Sequence, residues 1–147
     1  MHKLYPLLLA IVAGCGSNDN PSTEAPPVKA VFDVPALISK DIDQVKTVLG
    51  KPEGTDDEPT NQQLAAGVTE WEKSFKRDTT TLLVTYNPKT RKVIDFFVST
   101  SHGKTADITP LLELVNVDRT EPNGIDAEAV PMLANKQLFT GVKLVQR

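Results

Sequence analysis

This 147-residue chain is marked first by what it holds little of: one cysteine, two histidines, one tryptophan, and no block of basic residues. A lone cysteine cannot close an internal disulfide or build a multi-thiolate zinc site, so packing and hydrogen bonds must hold the fold, and thiol redox chemistry is not expected. Sixteen Lys and Arg stand against nineteen Asp and Glu, a formal charge of −3, and nothing in their distribution would neutralise a phosphate backbone. Nucleic acid is therefore not an expected partner. The sequence contains no Gly-x-Ser-x-Gly elbow, no phosphate-cradling glycine loop and no His-x₃-His spacing. The longest apolar run, Leu4 to Ala13, is ten residues, too short for a bilayer that needs about 20.

That run has a purpose of its own. Lys3 and the amino terminus precede it as a small positive region, and Val12, Ala13 and Gly14 that close it are small enough for a peptidase cleft. The block Val12-Ala13-Gly14-Cys15 resembles the lipobox of bacterial lipoprotein signal peptides. The resemblance implies that residues 1–14 are removed, that Cys15 becomes the first residue, and that its thiol is lipidated. Two or more acyl chains, each buried CH₂ contributing about 0.8 kcal/mol, anchor a protein stably without spanning the membrane. Removing Lys3 leaves fifteen basic against nineteen acidic side chains, net −4, so no polybasic patch aids docking on anionic lipid. Gly16 stands second, where an Asp would resemble an inner-membrane retention signal, so the lipoprotein resemblance implies delivery to the outer membrane in a host with two membranes. Residues 15–30 then form the lipidated cysteine and a Ser, Asn, Thr and Pro-rich tether with a root-mean-square span of about 20 Å and an extended reach of about 50 Å.

Residues 31–147 read as a single domain. In KDIDQVKTVLGKP, Ile42, Val45, Val48 and Leu49 fall on one helical face, Asp41 and Gln44 make a capping box, Gly50 suits the helix end and Pro52 stops it. Before it, Pro35 to Ser39 predicts a single helical turn. The acidic stretch EGTDDEP reads as a solvated loop without the alternating ligand spacing of a calcium site, and TNQQLAAG as a short helix. From Val68 the period becomes two: VTEWEKSF, TTLLVTYN and RKVIDFFVS predict three antiparallel strands, with a turn at Asn87-Pro88-Lys89-Thr90. Ile108, Leu111, Leu112 and Val115 predict another helix, with Asp107 or Thr109 as its cap and Pro110 in its first turn. After a break at Glu121-Pro122-Asn123-Gly124, a hairpin of Ile125 to Met132 and Leu138 to Val145 is expected, Pro131 confining the former to an edge or to a shorter strand. This order is α+β, short helices on one face of an antiparallel meander followed by a second helix and a hairpin.

Within this frame, burial favours a register that pairs Tyr86 with Lys92, Val84 with Ile94 and Leu82 with Phe96, giving one coherent apolar face for Val45, Val48 and Leu49 to cover. Leu83, Thr85, Val93 and Phe97 then lie on the opposite face, to be covered by the C-terminal elements or by a partner. Leu83, Val93 and Phe97 are thus the candidate partner-binding residues. His102 reads as a solvated loop histidine, Asp95 as facing solvent or pairing across strands, and Trp71 as a core residue whose indole finds a carbonyl. No catalytic residue, metal ligand or cofactor is expected.

The segments LISKDIDQVKTVLGKP, TEWEKSF, TLLVTYN and KVIDFFV, over about residues 34 to 99, resemble the SmpA/OmlA (BamE-like) lipoprotein domain through Val45, Leu49, Gly50, Pro52, Trp71, Leu83 and Val93. The resemblance implies an ααβββ arrangement and a role in outer-membrane assembly. The leading expectation is a non-enzymatic envelope lipoprotein that binds another protein; the alternatives are a surface lipoprotein for a small molecule or glycan, and a hydrolase. An apolar surface, a concave pocket with converging polar groups, or a perturbed titratable cluster would distinguish them.

Overall fold

The structure, a computed structural model, describes residues 29–119 and 124–147. The signal segment, Cys15, the tether to residue 28 and most of the break at Glu121-Pro122-Asn123 lie outside the described residues. Among those described, the elements run α1 (Ile42–Leu49), α2 (Asn61–Ala65), β1 (Trp71–Arg77), β2 (Thr80–Tyr86), β3 (Val93–Thr100), α3 (Thr109–Leu114), β4 (Ile125–Pro131) and β5 (Phe139–Gln146). The strands form one antiparallel sheet in the order β1-β2-β3-β5-β4. The fold is α+β, and no helix of the described residues is long and apolar enough to cross a membrane.

Local chemistry explains each helix. Asp41 Oδ1 accepts from the Gln44 amide at 2.8 Å while Gln44 Oε1 accepts from the Asp41 amide at 3.1 Å, so two orphan donors of α1 are satisfied reciprocally. Gly50 ends the helix at φ +90° and ψ −157°, a conformation that side chains resist. The buried stripe of α1 is Ile42 and Val45 with Leu49 partly buried, and Val48, expected to face the sheet, is 54% exposed. Thr60 and Gln63 repeat the capping box on α2. α3 starts at Thr109 with Ile108, and neither Asp107 nor Thr109, in the cap position; Asp107 Oδ1 accepts from the Thr109 amide at 2.9 Å and from its hydroxyl at 2.8 Å. Leu111 and Leu112 point inward.

The core lies on one face of the sheet, where Phe75, Leu82, Val84, Tyr86, Phe96, Val98, Val142 and Leu144 meet Ile42 and Val45 of α1 and Leu111 and Leu112 of α3. The segment ahead of α1, absent from the sequence expectations beyond its one turn, contributes Phe32, Val34 and Leu37. It is tied down because the Val31 and Phe32 amides both donate to the Leu114 carbonyl, at 2.8 and 3.0 Å. Both full helices thus cover the same face. The hairpin of β4 and β5 extends the sheet sideways instead of covering the other face, with β4 at the edge and Pro131 as its last residue.

The register of β2 and β3 differs from the expected one. Leu82 pairs with Val98 and Val84 with Phe96, two residues further along, and an irregularity beside Tyr86 brings Tyr86 opposite Val93. The parity, and hence the coherent apolar face, is as expected; the partners are not. The extra residue is Ile94, which leaves the core and is 37% exposed. The turn that allows this is longer than three residues: Asn87 Oδ1 accepts from the Lys89 and Thr90 amides at 2.9 and 3.0 Å, and Arg91 adopts φ +63° before β3 begins.

Candidate functional site

Two surfaces concentrate chemistry. The first is where the acidic stretch Glu53 to Pro59 folds back over β1. Lys73 shares its parity along β1 with Trp71 and Phe75, so its side chain enters the core face and is only 2% exposed. A buried ammonium needs compensation. Asp56 Oδ1 lies 2.8 Å away, Glu58 Oε1 3.6 Å away, and the Asp57 carbonyl accepts directly from Nζ. The same carbonyl accepts the Trp71 indole N–H at 2.9 Å. Asp56 also takes Lys46 of α1.

The other end of this loop is gripped by Arg91. Its guanidinium binds Asp43 of α1 through two nitrogens at 2.6 and 3.0 Å, reaches Glu58 Oε2 at 2.8 Å, and lies 5.2 Å above the Tyr86 ring. The Tyr86 hydroxyl donates to Glu58 at 2.7 Å. The electrostatics follow from these contacts. Hydrogen bonding by Arg91 holds the Asp43 carboxyl below its usual range, and ammoniums from Lys46 and Lys73 do the same for Asp56. For Glu58, desolvation opposes the shift, but Arg91 and Tyr86 outweigh it and the carboxyl is also lowered. Burial, reinforced by the Glu58 carboxylate, pushes the Tyr86 phenol well up, so it stays a donor. The cations Lys46, Lys73 and Arg91 are matched by the carboxylates of Asp43, Asp56 and Glu58. It fastens a loop.

The second surface is the sheet face opposite the one on which α1 and α3 pack. One row across all five strands reads Ser74, Leu83, Phe97, Lys143 and Glu128. Leu83 and Phe97 are directly opposed and half-buried at its centre. Beside them, Thr85 and Asp95 are also paired and are each 7% exposed, the Asp95 carboxylate taking the Lys143 ammonium at 2.9 Å. Asp95 therefore makes the cross-strand type of pair read from sequence, and Lys143 is raised by that contact.

Of the three candidate partner-binding residues the structure brings Leu83 and Phe97 together and separates Val93. Because of the extra residue at Ile94, Val93 sits opposite Tyr86, packs against the core and is not on the face of Leu83 and Phe97. Phe97 also has a second duty. Its ring and the Val98 carbonyl fill the space where a Cβ on Gly141 would go, so the ring caps a bare stretch of β5. His102 is exposed in the turn after β3. Compared with family models, characterised proteins and solved structures, the chain matches none.

Proposed function

We propose that this chain is an envelope lipoprotein, held to a membrane by acyl chains on Cys15, whose α+β domain binds another protein as an accessory to envelope or outer-membrane assembly. In a host with two membranes that membrane is the outer one. The observation that carries the reading is the sheet face opposite α1 and α3, with the half-buried pair Leu83 and Phe97 at its centre and charged residues at its rim, the apolar-centre, polar-edge layout of protein interfaces. The order of one helical turn, a Leu-Gly-x-Pro-ended helix and a three-strand meander is what the SmpA/OmlA resemblance implies, and it supports that assignment. The resemblance to a lipobox supports the anchor.

The test is capture from detergent-solubilised membranes with the acylated protein as bait. Mass spectrometry of the bait should show the acyl mass on Cys15. Leu83→Lys, which places a charge at the centre of the face without entering the core, should lose a co-purifying protein by more than about tenfold while the melting temperature changes little. Phe97 is a poorer site for this test, because losing its ring uncovers Gly141. Retained capture by a folded Leu83→Lys protein would move the binding surface elsewhere, and an unmodified Cys15 thiol would remove the anchor.

A further inference from the structure

A cleft of about 440 Å³ opens between the turn before α1, the start of α1 and the first residues of β3, a size typical of small-molecule sites. Ser39, Gln44, Thr90 and Gln146 are among the polar part of its lining, and Leu37, Ile38, Val93, Phe96 and Ile94 form the apolar part. That is where the residue expelled from the core by the extra position in β3 goes. Lys40 and Lys92 line the same cleft, and neither ammonium belongs to any of the ion pairs among the described residues. The one lining carboxylate, Asp41, is occupied in capping α1. Two cations and one committed anion leave one net positive charge beside the apolar part of the lining, in a chain whose formal charge is −3.

We propose that this cleft binds a small amphipathic monocarboxylate, with the apolar tail along Ile38, Val93 and Ile94 and the carboxylate between Lys40 and Lys92. The site is separate from the sheet face of Leu83 and Phe97 and does not depend on the partner-binding reading. Charge complementarity selects an anion, the single net charge selects a monoanion, and the apolar side of the lining selects a ligand with a hydrocarbon body.

The test uses the full chain carrying Cys15→Ser, so that no acyl group of its own competes, with hexanoate, octanoate and decanoate titrated below their micellar concentrations. Amide chemical shifts should move saturably at Lys92, Ile94 and Gln146. Affinity should rise about fourfold per methylene, the equivalent of about 0.8 kcal/mol, until the cleft is full. Lys40→Gln and Lys92→Gln, both surface changes, should each weaken octanoate about three- to fivefold, and Ile94→Asp should weaken it more by setting a charge where the hydrocarbon tail lies. Octylammonium should not compete. Equal binding of the ammonium, no dependence on chain length, or unchanged affinity in a folded Lys40→Gln/Lys92→Gln protein would each overturn the proposal. So would tighter binding by a peptide with a free carboxyl terminus than by decanoate, which would make the cleft a peptide site.

Discussion

Replacing Asp56 with Ala removes the nearer carboxylate from Lys73 and leaves an ammonium whose side chain is 2% exposed facing Glu58 at 3.6 Å and a backbone carbonyl. Breaking a buried ion pair on one side costs about 3–5 kcal/mol. Here Asp56 is one-third exposed and Glu58 remains, so solvent screening brings the expected loss to about 2 kcal/mol. Lys73→Met is a different perturbation. It keeps an alkyl stem against Phe75 and Trp71, leaves Asp56 with Lys46 and leaves the Asp57 carbonyl with the Trp71 indole. The change should lie within about 1 kcal/mol of the parent, in either direction, because no buried charge is stranded. The double variant should then be more stable than Asp56→Ala alone. Urea unfolding reads this directly: with a slope of about 1–3 kcal/mol per molar, 2 kcal/mol lowers the midpoint by about 1 M. Far-UV circular dichroism must accompany the fluorescence, because Trp71 is the one tryptophan and its N–H is held by the loop itself. A fluorescence change that leads the dichroism means the loop detaches first. If Asp56→Ala is neutral, or Lys73→Met costs more than Asp56→Ala, the ammonium is not the strained partner and the reasoning fails.

Acid should act on the same loop. Asp43, Asp56 and Glu58 all have folded-state values below the usual carboxylate range, so the unfolded chain takes up protons first. Their contribution is complete above about pH 5 and is lost as pH falls through the folded values. Stability measured from pH 6 downward should decline below about pH 4–5, less steeply in Arg91→Gln, and an unchanged acid limb in that variant would place its origin elsewhere. Gly141→Ala should destabilise by about 2–3 kcal/mol, since the added carbon meets both the Phe97 ring and the Val98 backbone carbonyl. Adding Phe97→Leu should recover only part of the loss, because the carbonyl cannot move aside; full recovery in the double variant would show that the ring alone was the obstacle.

The capped helices were legible because their signals are local: Asp41 with Gln44, Gly50 and Pro52 act within one turn of chain. The meander was legible because Leu82, Val84, Phe96 and Val98 keep a strict alternation that burial enforces. What the pattern could not carry was the irregularity at Ile94, since an inserted residue in a run of Val, Ile and Phe leaves the apolar pattern intact on paper while moving Val93 to the other face. The role of the acidic stretch was missed for a related reason. A lysine in a strand normally faces water, yet Lys73 shares parity with Trp71 and Phe75, and that parity together with the run of Asp56, Asp57 and Glu58 just upstream was the signal that a buried charge required neutralising. Phe32 and Val34 lacked any periodic neighbours, because their partners are the carbonyls ending α3, more than eighty residues away in sequence.

The strand order sets a timetable. The meander of β1, β2 and β3 can pair as soon as its own residues are available, since each strand meets the next through a short turn, but the free edge of β3 waits for β5, the last of the described strands in the chain. Until then Phe97 has no glycine strand beneath it, the core residues Phe96 and Val98 lack Leu144 and Val142, and an unpaired strand edge stands open to any extended chain nearby. A chain emerging amino terminus first therefore passes through a stage in which its most adhesive edge is exposed, and a chaperone or an unrelated strand competes with β5 for the same row of backbone groups.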